Sequence, residues 1–141
     1  MKKPIKTIKA FAAQSNMPAT LIRAVIRQCG GFESFKEMAE DVSDHGASGG
    51  FHGFIYYTDT VKFTKNNKAA ILEYAKEQAS DFGQSMIGMI AGFGCLKMSE
   101  EETAEALYNS RSAERTNVYN ALAWYALEEV ARVYCDAAED N

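Results

Sequence analysis

Both histidines of the chain lie in one glycine- and aromatic-rich stretch, residues 44–59, with the sequence DHGASGGFHGFIYYTD. These residue types could support two kinds of chemistry. His45 or His52 could act as a general base beside Asp44, because histidine exchanges protons near neutral pH. Alternatively, the backbone amides of the glycine run could bind a phosphate group. The stretch is therefore the first place to look for a catalytic site.

The surrounding sequence favours a structural loop over either chemistry. The glycine spacing differs from that of a P-loop, and no strand–turn–helix pattern surrounds it. Nothing in the sequence identifies a nucleophile held by a base and a third group. The glycines instead predict a turn with positive backbone dihedrals, which the aromatic side chains pin to the core. His52 and Tyr56 could also belong to a protein-binding surface. We assign no catalytic residue, no cofactor and no metal.

The composition predicts one soluble domain to carry this loop. The chain has 141 residues, of which 47% are apolar, and this is enough to bury a substantial core. No run approaches the roughly 20 apolar residues of a membrane-spanning helix, and the N-terminus lacks a signal-peptide pattern. We therefore expect a cytoplasmic protein without membrane contacts. Its three widely spaced cysteines predict reduced, buried thiols rather than disulfides or a zinc site.

Hydrophobic periodicity predicts a mainly α protein, a single-domain bundle of about six helices around a central C-terminal helix. The fourth helix includes Asn66-Asn67, which could mark a bend or a boundary between two helices. The last residue of its predicted apolar stripe is Phe82. A capping box at Ser99 starts a short helix that should pack through Ala104, Leu107 and Tyr108. The predicted helices cover residues 6–13, 19–29, 32–42, 60–82, 84–93, 100–110 and 116–137.

The charge is divided along the chain. Residues 1–32 carry six basic residues and no acidic one, whereas residues 33–141 carry nine basic and nineteen acidic residues. Within one domain, 1–141, we therefore distinguish a basic N-terminal helical subdomain (1–43), the glycine- and aromatic-rich loop (44–59) and an acidic helical body (60–141). Such an asymmetry can mark a surface that meets nucleic acid or a charged partner.

The first two predicted helices resemble a DNA-binding helix-turn-helix in outline. A short turn joins them, and Thr20, Arg23 and Arg27 lie along one face of the second helix. This arrangement would permit contacts with bases or phosphates. The alternative is an ordinary packing unit with a basic outer surface, because two helices joined by a short turn are frequent in proteins that bind no DNA.

Two long motifs, HGASGGFHGFIYYTDTVKF and NALAWYALEEVARVY, resemble the paired signature of a family of short, uncharacterised proteins encoded by bacteriophages and other mobile elements. The resemblance spans nearly the whole chain and implies no catalytic residues. It implies a role against host defence in the host cell cytosol. The function that we favour is that of an anti-CRISPR protein.

Such an inhibitor would bind a CRISPR effector stoichiometrically and block its nucleic-acid binding, since an acidic surface fits a cleft that is basic in order to bind phosphates. A helix-turn-helix regulator and a small enzyme that uses His45 or His52 stay open as alternatives. Acidic residues at the start of the short helix, such as Glu101 and Glu105, are further candidate contacts. The predicted partner-binding residues are Thr20, Arg23, Arg27, Glu37, Glu40, Asp41, Asp44, His52 and Tyr56.

Overall fold

The computed structural model describes residues 7–45, 60–92, 98–109 and 111–139, and all regular secondary structure in these ranges is helical. The prediction of a mainly α fold is therefore confirmed, and the seven helices in the described ranges correspond to the seven predicted ranges. The helices are α1 (Ile8–Gln14), α2 (Ala19–Gln28), α3 (Phe32–His45), α4 (Thr60–Asp81), α5 (Met86–Gly92), α6 (Glu100–Tyr108) and α7 (Arg115–Glu139).

The chain divides into two compact units. The first consists of residues 1–58 and 126–141, and the second of residues 59–125. Helix α7 contributes its end to the first unit and its start to the second. Its predicted place at the centre of the bundle stays a prediction. The predicted subdivision at residues 43 and 59 followed the charge along the chain, and it stays a prediction.

Local signals explain where α1 begins, where α2 ends and where α3 begins. The Thr7 hydroxyl accepts a hydrogen bond from the Ala10 amide at 3.0 Å and thereby caps α1. Gly30 and Gly31, both with positive φ, end α2, and the Gly31 amide donates to the Ile26 carbonyl at 3.0 Å. Because L side chains rarely adopt such φ values, the glycine pair allows α3 to begin directly after α2.

Aromatic packing joins α1, α3 and α7 in the first unit. The ring centroid of Tyr134 lies 5.4 Å from those of both Phe11 and Phe35, and 6.1 Å from that of Phe32. All three contacts have the edge-to-face geometry that aromatic pairs favour. Phe11 and Phe35 are fully buried. We call these four residues the aromatic cluster.

Helix α2 completes the core of the first unit with its apolar face. The side chains of Leu21, Ile22, Val25 and Ile26 are buried, as the periodicity of the sequence predicts.

In the second unit, α4 runs through Asn66-Asn67 without a break. The buried Thr64 hydroxyl donates to the Tyr119 carbonyl at 2.6 Å and so connects α4 to α7. Helix α6 begins with the predicted capping box, in which Ser99 and Glu102 bond to each other's backbone amides. Other core residues of this unit are Phe63, Ile71, Tyr74, Leu107, Val118 and Leu122.

Several predicted details of packing are wrong. Helix α4 ends at Asp81, which leaves Phe82 in the following turn with 75% of its surface exposed. Tyr108 is the last residue of α6 and is 64% exposed. The buried face of α6 consists of Thr103, Ala106 and Leu107, so the predicted burial of Leu107 is confirmed, whereas Ala104 is only half-buried.

A helix that spans a bilayer needs about 20 predominantly apolar residues. None of the described helices combines the length and the apolar character needed to cross a membrane.

We predict that Phe35→Ala lowers the free energy of unfolding by about 3–5 kcal/mol, because it removes a fully buried ring from the aromatic cluster and leaves a cavity. Urea unfolding of purified protein, followed by circular dichroism, measures the change. The control is Phe82→Ala, which removes the same ring from an exposed turn and should cost less than about 0.5 kcal/mol. Equal losses in both variants would contradict this description of the core.

Candidate binding surfaces

The predicted basic residues of α2 all lie on its solvent face. Thr20, Arg23 and Arg27 are exposed and follow one another at spacings of three and four residues, opposite the buried apolar face. Neither arginine forms an ion pair with a residue in the described part of the chain. The structure therefore brings these three predicted residues together as one surface, which we call the basic face of α2.

The predicted acidic residues of α3 also face solvent. Glu37, Glu40 and Asp41 are exposed, and none of them is paired with a described cation. Glu33 lies one turn earlier, with 87% of its side chain exposed, and pairs with Lys36 at 2.8 Å. These carboxylates, at positions 33, 37, 40 and 41, form a row along one side of the helix, which we call the acidic face of α3.

Lys36 connects the acidic face to the aromatic cluster. Its ammonium group lies 5.3 Å from the ring centroid of Phe32, within the range of a cation–π contact. The hydrogen bond from Lys36 to Glu33 is the main reason that the pKa of Lys36 is raised. Lys36 therefore holds Glu33 locally, while the remaining carboxylates of the face have no such contact with a described basic side chain.

The remaining predicted residues lie at or beyond the end of α3. The backbone of Asp44 and His45 is helical, since α3 continues three residues past the predicted end at Val42. The side chains of Asp44 and His45, and the whole of His52 and Tyr56, lie outside the described residues. The hypotheses about the glycine- and aromatic-rich loop therefore stay predictions.

The acidic residues of α6 differ from those of α3 because two of them serve local contacts. Glu100 accepts a hydrogen bond from the Ser85 hydroxyl at 2.7 Å, and Glu102 belongs to the capping box. Glu101 and Glu105 are exposed, and neither of them pairs with a described basic residue. Among the described residues, the acidic face of α3 therefore has three exposed carboxylates without an ion pair, against two on α6.

The cysteines in the described ranges are free thiols, namely Cys29 and Cys135. Cys29 lies 3.6 Å from the sulfur of Met38, and Cys135 approaches the Ala39 carbonyl at 3.5 Å. Burial raises the pKa of Cys29 to about 12, which suppresses the reactive thiolate. Both residues are half-buried rather than fully buried as predicted. No three potential ligands among His, Cys, Asp and Glu come together in the described part of the chain.

The structure also shows a cluster in the second unit that sequence reasoning missed. Lys68 on α4 donates hydrogen bonds to the Leu107 carbonyl and, at 3.3 Å, to the Tyr119 hydroxyl. Its ammonium group lies 5.4 Å from the ring centroids of both Tyr108 and Tyr119. Arg115 lies 5.5 Å from the same ring of Tyr119. No sequence motif signals this cluster, because its members are up to 51 residues apart.

Residues 12–140 match the model of a family described as a domain of unknown function, DUF7222, and the chain belongs to that family. No curated protein matches the chain. No solved structure matches it either.

We predict that Cys29 in the folded protein is alkylated by iodoacetamide at least a hundredfold more slowly than in urea at pH 8. A thiol with a pKa of about 12 is ionised about a thousandfold less at this pH than one with the ordinary value of 9.0. The rate in the folded protein should still rise between pH 9 and 11, where the rate in the unfolded chain levels off. Mass spectrometry of the Cys29 peptide measures both rates. A plateau at the same pH in both states would contradict the prediction.

Proposed function

We propose that this protein acts by stoichiometric binding, as a phage-type inhibitor that occupies the nucleic-acid cleft of a CRISPR effector in the cytosol of the host. The observation that carries the proposal is the acidic face of α3. Its residues Glu37, Glu40 and Asp41 place three exposed carboxylates within little more than one helical turn, and none of them forms an ion pair with a described basic residue. The proposal involves no catalytic step.

The electrostatics of the acidic face indicate the kind of partner that it fits. Like charges at neighbouring positions on a helix repel one another and destabilise it slightly. A basic partner would relieve this repulsion. Proteins that bind nucleic acid carry basic clefts, and occupation of such a cleft by carboxylates would exclude the phosphates that it normally binds.

The helix also presents these charges in an extended and rigid form. From Glu33 to Asp41 the face extends about 12 Å along the axis, at 1.5 Å per residue. Packing of Phe35 into the aromatic cluster fixes the opposite side of α3. The carboxylates therefore lose little conformational freedom of the backbone on binding, which favours affinity.

We predict that inhibition of a susceptible CRISPR effector titrates to an endpoint at a fixed ratio of the two proteins. The double variant Glu37→Lys/Glu40→Lys should weaken this inhibition about tenfold or more, since charge reversal opposes a basic cleft. The readout is target cleavage at increasing inhibitor concentrations. Glu73→Lys/Glu77→Lys is the matched control, because it makes the same change of charge at two exposed positions of α4 and should inhibit almost as well as the unaltered protein. Substoichiometric inhibition with turnover, or equal loss in both variants, would refute the proposal.

A second candidate function, a helix-turn-helix regulator, is favoured by the basic face of α2. Arg23 and Arg27 lie one turn apart on a solvent-exposed helix, as residues that contact a DNA backbone would. The third hypothesis, a small enzyme that uses His45 or His52, depends on side chains outside the described residues.

If the protein is such a regulator, it should bind duplex DNA with an affinity that falls steeply as salt increases. Arg23→Ala/Arg27→Ala should then weaken binding at least tenfold, whereas Lys65→Ala/Lys76→Ala, which removes two exposed lysines of α4, should have little effect. Fluorescence anisotropy with labelled duplexes measures these affinities. Absence of binding at low salt would exclude this function.

A further inference from the structure

Cations and phenol rings alternate where α6 ends and α7 begins. Tyr108, Lys68, Tyr119 and Arg115 follow one another at ring-to-cation distances of 5.4, 5.4 and 5.5 Å. These residues come from α4, α6 and α7, so three helices of the second unit position them. We call them the Tyr108 cluster.

Structural roles account for only part of this cluster. Lys68 donates to the Leu107 carbonyl in the last turn of α6, where helix carbonyls lack partners within the helix. Tyr119 is buried and contributes to the core of the unit. In contrast, 64% of Tyr108 is exposed, and Arg115 forms no ion pair with a described residue. The cluster thus presents a solvent-exposed ring at one end and, at its other end, a cation without a described carboxylate partner.

The charges around the Tyr108 cluster are predominantly positive, although the chain as a whole carries a net charge of −4. Two carboxylates lie close to it in the sequence, and the carboxylate of Glu114 already accepts a hydrogen bond from Asn117 at 2.8 Å. The other is Glu105, one turn before Tyr108. Four basic residues lie in or next to the cluster: Lys68 and Arg115 within it, Lys65 one turn earlier on α4, and Arg111 in the turn between α6 and α7. None of them forms an ion pair with a described carboxylate.

We propose that the Tyr108 cluster binds single-stranded nucleic acid, with one base stacked on the exposed ring of Tyr108 and a phosphate of the same strand bound by Arg115 at the other end of the cluster. Stacking on an aromatic side chain beside basic residues is the usual means of binding single strands, because every base offers a π face and every nucleotide a negative charge. An acidic peptide would satisfy the cations but would leave the exposed ring unused. A duplex would offer no unstacked base.

Strand binding at this cluster is independent of the inhibitor proposal, since it depends on other residues in the other compact unit. We test it with a labelled ten-nucleotide oligothymidylate, whose binding is followed by fluorescence anisotropy at about 50 mM salt, where phosphate contacts are strong. Tyr108→Leu should weaken binding about tenfold, which is the order of the loss expected for one stacked base. Tyr108→Phe keeps the ring and should bind like the unaltered protein. Arg115→Gln should weaken binding and reduce its dependence on salt.

Two control variants distinguish the Tyr108 cluster from the other exposed surfaces of the protein. Phe82→Leu removes the other highly exposed ring of the second unit and should leave binding unchanged. Arg23→Ala/Arg27→Ala, on the basic face of α2, should also bind the strand normally. Circular dichroism melting of each variant checks that it is folded. If Tyr108→Leu has a lowered melting temperature, Tyr108→Gln replaces it in the same comparison.

Four results would overturn the inference. One is that the unaltered protein does not bind the strand at low salt. Another is that strand binding depends on Arg23 and Arg27 instead of Tyr108. A third is that inorganic phosphate competes equally well whether or not the ring is present, which would indicate a simple anion site. The last is that polyglutamate binds as tightly as the strand with the same dependence on Tyr108, which would indicate an acidic protein partner.

Discussion

The edge-to-face packing of Tyr134 against three phenylalanine rings is the interaction on which the first compact unit depends. Helices α1 and α2 have only seven and ten residues, and isolated helices of such lengths are marginal in water. Their stability must therefore come from burial of their apolar faces. Phe11 and Phe35 provide that burial for α1 and α3, while α7 supplies the ring that they share. The acidic face of α3 can keep a fixed form because the inner side of that helix is held in this way, and the buried apolar residues of α2 do the same for its basic face.

In the second unit, two hydrogen bonds connect α4 to the neighbouring helices. Lys68 reaches from α4 to the Leu107 carbonyl at the end of α6, and the Thr64 hydroxyl of the same helix bonds to the Tyr119 carbonyl of α7. Each bond satisfies a backbone group or stabilises a helix end at a contact between helices. The same geometry leaves Tyr108 in solvent and Arg115 without a described carboxylate partner. Lys68, which connects α4 to α6, and the residues of the proposed nucleic-acid site thus belong to the same cluster.

Sequence periodicity was sufficient to predict the helices but insufficient to predict their ends. The buried face of α2 follows from the spacing of Leu21, Ile22, Val25 and Ile26, and glycine chemistry explains its end. The end of α3 could not be located, because the polar residues after Val42 carry no periodic signal and contain no helix breaker before Gly46. Tyr108 and Phe82 were misplaced because an apolar side chain at a helix end can point to solvent without breaking the pattern of the helix.

The candidate surfaces also differ in how far the sequence predicts them. Exposure of Arg23, Arg27 and the carboxylates of α3 could be predicted, since each lies opposite an apolar stripe on a single helix. The Tyr108 cluster could not, because its residues come from three helices and meet only through tertiary packing.

Hydrogen–deuterium exchange of the protein, alone and with a CRISPR effector that it inhibits, is the most direct test of the central claim that the acidic face of α3 is the binding surface. We expect slower exchange in peptides that cover residues 33–41, because contact with the partner stabilises the exposed side of α3. Helix α4, which carries the control carboxylates Glu73 and Glu77, should exchange as in the free protein. Unchanged exchange across residues 33–41, with protection elsewhere in the chain, would contradict the claim.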